Sequence, residues 1–167
     1  TLKVNDPSLT KVTFDATVDK GESPLSKSNI TLSCSNGVLN NESEYRLYKS
    51  STTTFACSAG NIAMIEFIGV SGNPASGFAA PAEGKFVTDG NNATWTGNAT
   101  SVSFEASGAQ VRATKIFVSY REDTRADAGL SWSTDAIELT VGDAFTAPTL
   151  TNPNSITENE ISVESDN

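Results

Sequence analysis

The chain of 167 residues contains no histidine and only two cysteines. Without histidine, nucleophilic catalysis by a Ser/His or Cys/His pair is excluded, and no motif for a Ser/Lys pair is present. Two cysteines alone supply at most half of a zinc ligand set. The sequence also lacks an apolar run of about 18 residues and a signal-peptide pattern at its start, so we expect no membrane insertion and, if secreted, a processed chain.

Positive charge is scarce as well. The chain carries 11 Lys and Arg against 20 Asp and Glu, a formal net charge of −9. Nucleic-acid binding requires clustered basic side chains to offset phosphate repulsion, and Arg46, Arg112, Arg121 and Arg125 are scattered along the sequence. We therefore expect no nucleic-acid partner.

Helical periodicity is missing, and short alternating segments take its place. Residues 12–18 alternate apolar and polar, while residues 62–70 are apolar on both faces apart from Glu66, which is typical of a central strand. Residues 94–120 indicate two strands joined by a turn at Gly108, and residues 69–90 indicate a long loop with a short strand near residues 85–87. The pattern predicts an all-β fold, a jelly-roll-like antiparallel β-sandwich.

Composition and carboxylate placement both argue against catalysis. Ser, Thr and Asn make up about a third of the chain, as in extracellular β-proteins. Three carboxylate pairs occur in predicted loops: Glu42 with Glu44, Glu122 with Asp123, and Glu158 with Glu160. In loops, solvated surface charge is a more common role than a buried acid/base couple. We expect this protein not to be an enzyme.

Cys34 and Cys57 each end an alternating segment, at residues 30–34 and 53–57, which places both thiols toward an apolar face. Two interpretations remain open: a pair of buried, unreactive thiols, or a disulfide. The secreted-type composition favours the disulfide between Cys34 and Cys57, which would contribute about 3 kcal/mol by closing the intervening loop.

Three segments carry a family resemblance: YRLY at residues 45–48, TWTG at 94–97 and VRATKIFVSY at 111–120. In order and content, residues 12–120 resemble a β-sandwich module that recurs in secreted and surface-anchored proteins of Bacteroidetes. The resemblance implies an extracellular or cell-surface location in a bacterium and a non-catalytic role beside adhesins, enzymes and Ig-like domains. Cys34 and Cys57 depart from the usual pattern of this module, so the resemblance does not support the disulfide.

The composition changes after residue 121. Residues 122–129 are charged and apolar-poor, as in a linker, and residues 130–167 resemble the opening strands of a bacterial Ig-like domain of group 2. An Ig sandwich needs about seven strands and about 100 residues, so this segment predicts an incomplete Ig-like domain. We expect its apolar face to be covered by the module of residues 1–121, by self-association with another copy, or by further residues.

Binding residues are predicted among the aromatic side chains. Tyr45, Tyr48 and Trp95 are candidates for stacking on a glycan, and Arg46 is a candidate hydrogen-bond donor. Each has a structural alternative: Trp95 as a plug at the end of the sandwich, Tyr45 and Tyr48 on opposite faces of one strand, and Arg46 paired with a nearby acid. The sequence predicts an adhesion or carbohydrate-binding module with a glycan or cell-surface protein as partner, or alternatively a structural spacer.

A cofactor is not predicted. Asp15, Asp19 and Asp89 are the residues around which a Ca²⁺ ion is conceivable, since jelly rolls often carry one. No spaced ligand loop of the EF-hand type accompanies them.

Overall fold

The computed structural model describes residues 8–122, 131–133, 144 and 149–151. The chain divides into two compact units, Thr1–Asp123 and Thr124–Asn167. The described part of the first unit is built from antiparallel strands, and its only helical element there is a 3-10 turn at Ala75–Gly77. The predicted all-β class is confirmed. No described helix has the length and apolar character to cross a membrane.

Eleven strands build the described part of the first unit. In chain order they are β1 (Thr10–Asp15), β2 (Leu25–Lys27), β3 (Ile30–Cys34), β4 (Gly37–Val38), β5 (Tyr45–Leu47), β6 (Thr52–Cys57), β7 (Gly60–Gly69), β8 (Lys85–Asp89), β9 (Asn92–Ala99), β10 (Ser101–Glu105) and β11 (Val111–Glu122).

These strands form two antiparallel sheets. The larger has the order β4-β5-β11-β7-β9-β8, and the smaller has the order β10-β6-β3-β2. Strand β11 is long enough to pair with two strands along one side: its first residues pair with β5, and the stretch from Lys115 to Tyr120 pairs with β1. Strand β7 lies on the other side of β11, which makes these two strands the centre of the larger sheet.

Aromatic rings join the two sheets face to face. Phe67 of β7 lies 5.0 Å from Phe104 of β10 and 5.8 Å from Phe55 of β6, measured between ring centroids, and both pairs meet edge to face. Phe86 of β8 also reaches Phe104, at 5.8 Å. Such pairs contribute about 0.5–1.5 kcal/mol each beyond the apolar area they bury. The result is the sandwich-like core that the strand pattern predicts.

The alternation of the first strand is confirmed only in part. Val12, Phe14 and Ala16 are buried as expected, but β1 ends at Asp15 and Val18 is 74% exposed. The main-chain carbonyl of Asp15 accepts hydrogen bonds from the amides of Val18 and Asp19, at 2.9 and 2.7 Å. This local turn reverses the chain before Val18 could continue the inward face.

The segment of residues 94–120 contains three strands rather than two. Strand β10 pairs with β6 in the smaller sheet, whereas β9 and β11 belong to the larger sheet. The turn at Gly108 therefore crosses between the sheets and does not close a hairpin. The predicted short strand near residues 85–87 is confirmed as β8.

Cys34 and Cys57 are both free, so the predicted disulfide is wrong. Both side chains do face the core side, but the antiparallel register of β3 and β6 pairs Cys57 with Ile30 and Cys34 with Thr53. The two cysteines thus lie at opposite ends of the strand pair. Four residues of strand correspond to about 13 Å, whereas the Cα atoms of bridged cysteines lie about 4.4–6.8 Å apart.

The described part of the second unit is one pair of two-residue strands, β12 (Ser131–Trp132) and β13 (Leu150–Thr151). The amide of Ser133 donates to the carbonyl of Thr149, and the amide of Thr149 donates to Ser133 Oγ, both at 2.9 Å. Most of the segment predicted as an incomplete Ig-like domain, residues 130–167, lies outside the described residues. So does the predicted linker, except for Glu122, which belongs to β11.

Candidate functional site

Trp95 lies inside the sandwich. It occupies an inward position of β9 with 1% of its surface exposed, and its Nε1 donates a hydrogen bond to the carbonyl of Glu83 at 2.8 Å. Gly84 and Gly97 pack directly against the indole, since a Cβ added at either position would come within 2.4 Å of it. A sugar needs an exposed ring face on which to stack, and Trp95 offers none, so the structure corrects the expected stacking role. Its burial agrees with the structural alternative, in which Trp95 is a plug of the sandwich.

Tyr45 is also internal. Its ring is fully buried in β5, and its hydroxyl donates a hydrogen bond to the main-chain carbonyl of Asp19. Burial, reinforced by the charges of Asp19 and Asp15, raises the pKa of Tyr45 well above its usual value. The phenol therefore ties β5 to the turn after β1, and its ring has no surface for a ligand.

Tyr48 is the one predicted aromatic platform with an accessible ring. It follows β5 and is 36% exposed, while Tyr45 is buried, so at most one of the two tyrosines points inward. The main chain at Tyr48 is fixed, because its amide donates to the carbonyl of Asn36 at 3.3 Å and its carbonyl accepts from Ser51 at 3.0 Å.

Arg46 belongs to an ion cluster. Its Nε donates to Glu44 Oε1 at 2.9 Å, and Arg112 Nη1 donates to the same oxygen at 2.9 Å. Arg46 and Arg112 are cross-strand neighbours in the β5–β11 register, so Glu44 offsets the repulsion between two like charges. The expected pairing of Arg46 with a nearby acid is confirmed.

Glu44 was expected to be a solvated loop charge, and that expectation is wrong. The residue is only 9% exposed and its carboxylate bridges two guanidinium groups. Removing one member of such a group leaves an uncompensated buried charge, which typically costs about 3–5 kcal/mol for a fully buried pair and less here because both arginines are partly exposed. Arg46, two positions after Glu44, was the sequence signal for an ion pair at this glutamate. Arg112 is 68 residues away from Glu44, so no local sequence pattern indicates its contact.

Asp15 and Asp19, two of the residues considered for Ca²⁺, hold lysines instead. Lys115 Nζ lies 2.7 Å from Asp15 Oδ2, and Lys27 Nζ lies 2.7 Å from Asp19 Oδ2. The hydrogen bond from Lys115, with two from Thr17, lowers the pKa of Asp15 to about 2. Burial pushes the pKa of Asp19 upward, but hydrogen bonds from Lys27 and from the amide of Asp15 outweigh it and lower the pKa.

Asp89, the third aspartate considered for Ca²⁺, ends β8 beside Asn92 and is exposed, in a different part of the unit from the Asp15 turn. Across the part of the chain that the structure describes, no group of three or more His, Cys, Asp or Glu side chains is placed to hold a metal ion.

A cleft of about 260 Å³ opens between the loop before β8 and strand β10. Its polar lining comes from Glu83, Ser101 and Ser103, and Trp95 is among the other lining residues. This volume lies below the roughly 300–1,000 Å³ of typical small-molecule sites. The cleft provides hydroxyl groups and one carboxylate for hydrogen bonding, and its lining contains no cationic side chain.

Comparisons with protein-family models, with curated proteins and with solved structures give no match to this chain.

Proposed function

We propose that this chain is a non-catalytic structural spacer from an extracellular or surface protein of a bacterium, of the kind the Bacteroidetes β-sandwich module represents. The observation that carries the proposal is the interior position of Trp95 and Tyr45. Both large aromatic residues pack in the core, and the polar group of each donates a hydrogen bond to a main-chain carbonyl. The Ser-, Thr- and Asn-rich composition supports the extracellular location.

The charged side chains support the same proposal. Glu44, Asp15 and Asp19 each bind a cationic side chain of the same chain. A carboxylate that acts as a catalytic acid at neutral pH needs a raised pKa, and the pKa values of Asp15 and Asp19 are lowered. These carboxylates therefore serve the fold, which is the role expected in a spacer.

A second candidate function is adhesion through a glycan or a cell-surface protein. It is favoured by Tyr48, a residue that is 36% exposed and whose main chain is fixed by two hydrogen bonds. A partly exposed tyrosine on a rigid turn provides a stacking surface at low entropic cost.

A glycan array distinguishes the two candidates. The spacer proposal predicts no saturable binding by the full chain. Saturable binding that is lost in Tyr48→Ala but kept in Val18→Ala, a matched truncation of another exposed apolar residue, would overturn the spacer proposal and establish the second candidate.

A further inference from the structure

Strand β8 forms an open edge of the larger sheet. It pairs with β9 from Lys85↔Thr96 to Asp89↔Asn92 without a register shift, and no described strand pairs with its other side. The other side of this sheet ends at β4, which has only two residues, and at β1, which among the described strands pairs only with β11. A regular edge of five residues without proline presents unpaired main-chain groups that can accept another strand.

The hairpin between β8 and β9 determines which main-chain groups are unpaired. Its loop consists of two residues, and Gly90 has a φ of 58°, as the first position of a type II′ turn requires. The residues that flank such a loop, Asp89 and Asn92, exchange main-chain hydrogen bonds, and every second residue does so after them. The amides and carbonyls of Phe86 and Thr88 therefore point away from the sheet.

The outer face of β8 has a charge order that complements itself. Lys85, Val87 and Asp89 alternate onto this face, and Val87 is 49% exposed between the two opposite charges. When a second copy of β8 runs antiparallel and is centred on Val87, Lys85 lies opposite Asp89 of the second copy, and the reverse pair forms on the other side. The same register places the outward main-chain groups of Phe86 opposite those of Thr88.

We propose that two copies of this chain associate through β8 about a two-fold axis beside Val87. Each Phe86–Thr88 pair across the axis exchanges two main-chain hydrogen bonds, as narrow pairs of an antiparallel ladder do. The larger sheets of the two copies thereby join into one continuous sheet with an isologous interface. This association is independent of the spacer role, and in a surface protein it would link neighbouring molecules.

The other five-residue edge, β10, lacks this complementarity. Its exposed face carries Ser101, Ser103 and Glu105. Antiparallel self-pairing of β10 would place Ser101 opposite Glu105, with no cation for either glutamate. The preference for β8 over β10 therefore follows from charge. Strand β1 is a further edge, but its Lys11 and Asp15 already pair with Glu66 and Lys115 of the same chain.

Sedimentation equilibrium of the full chain over a range of concentrations tests the proposal. The unsubstituted protein is expected to show a reversible monomer–dimer equilibrium. Lys85→Asp converts both attractive pairs into repulsive ones and should raise the dissociation constant roughly tenfold. The double variant Lys85→Asp with Asp89→Lys has the original net charge and exchanged pairs, so it should restore dimerisation.

Lys49→Asp is the matched control, because it changes the net charge by the same amount at an exposed turn outside β8. It should leave the dissociation constant close to that of the unsubstituted chain. Val87→Lys provides a second arm, since it places two like charges at the axis and should abolish the dimer. Circular dichroism and thermal melting establish that each variant is folded.

Hydrogen exchange locates the contact. The amides of Phe86 and Thr88 should gain protection as the protein concentration rises. A monomer at every concentration, equal effects of Lys85→Asp and Lys49→Asp, or failure of the double variant to recover would overturn the proposal. Protection of Phe86 and Thr88 that does not depend on concentration would overturn it as well, because a segment of the same chain would then occupy the edge.

Discussion

Glycine on both sides of Trp95 explains how so large a ring fits inside this sandwich. Gly84 precedes β8 with a φ of 82°, a backbone conformation that suits glycine, and Gly97 lies within β9 itself. Both leave the space that a Cβ would take beside the indole. The motif TWTG therefore combines a core residue with the glycine that makes room for it.

Gly97→Ala is predicted to destabilise the protein by about 1–3 kcal/mol, because the added methyl group would lie 2.4 Å from Trp95 Cζ2 and force the packed ring to move. Urea unfolding measures the loss. Gly108→Ala is the control, since its Cβ would meet only ordinary contacts, at 3.5 Å or more. Equal losses for the two variants would show that Trp95 is not packed against Gly97.

The ionisation of Asp15 makes the free energy of unfolding depend on pH in the acidic range. Its pKa falls from 3.8 to about 2 in the folded chain, so ionised Asp15 stabilises the fold above about pH 4, and this contribution is lost as the pH falls through about 2. We predict that Asp15→Asn is less stable than the unsubstituted chain at pH 6 and that the difference disappears near pH 2.

Urea unfolding at stepped pH measures that difference. Lys115→Met should show the same convergence, because it removes the cation that lowers the pKa of Asp15 most. A gap between the unsubstituted chain and Asp15→Asn that stays constant from pH 6 to pH 2 would contradict this assignment.

At the scale of elements, strand faces could be predicted from the sequence, and strand partners could not. Alternation along one strand is a local property, and it correctly oriented Val12 and Phe14 toward the core. Pairing is non-local: β10 and β11 follow one another in sequence, yet they belong to different sheets. No local pattern indicates that the chain crosses the core at Gly108.

The candidate site divides in the same way. The pairing of Arg46 with Glu44 could be predicted, because the two residues are close in sequence, whereas Arg112 joins them only through the β5–β11 register. Burial of Trp95 was one of two alternatives that the sequence left open. The packing of Gly84 against the indole depends on a loop whose path had no sequence signal.

Register also determines the chemistry of Cys34 and Cys57. Because they lie at opposite ends of the β3–β6 pair, we predict two free thiols per chain when the protein is unfolded in urea without a reductant. Titration with a thiol-reactive chromophore measures them. In the folded protein Cys34 should react faster than Cys57, which is more buried.

Stability provides the control for this prediction. A reductant should not change the urea midpoint, because no disulfide constrains the unfolded chain. Fewer than two reactive thiols after unfolding, or a lower midpoint with the reductant, would contradict the register.

At the scale of the whole molecule, the described residues use their largest side chains for the interior. The largest fully buried side chains are those of Trp95, Tyr45 and Tyr120, followed by four phenylalanines of the core. The outer surface is left with hydroxyl groups, ion pairs such as Lys11–Glu66 and few large apolar residues. This distribution agrees with the proposed spacer role, and the β8 edge remains a regular surface for the proposed association.

The central claim is that Trp95, one of the aromatic residues predicted to bind a ligand, belongs to the core. The fluorescence of Trp95 tests this claim. A Trp132→Phe variant isolates the signal of Trp95. We predict a blue-shifted emission that acrylamide quenches weakly and that shifts to the red only when the sandwich unfolds. Emission typical of an exposed indole, freely quenched in the folded protein, would contradict the account.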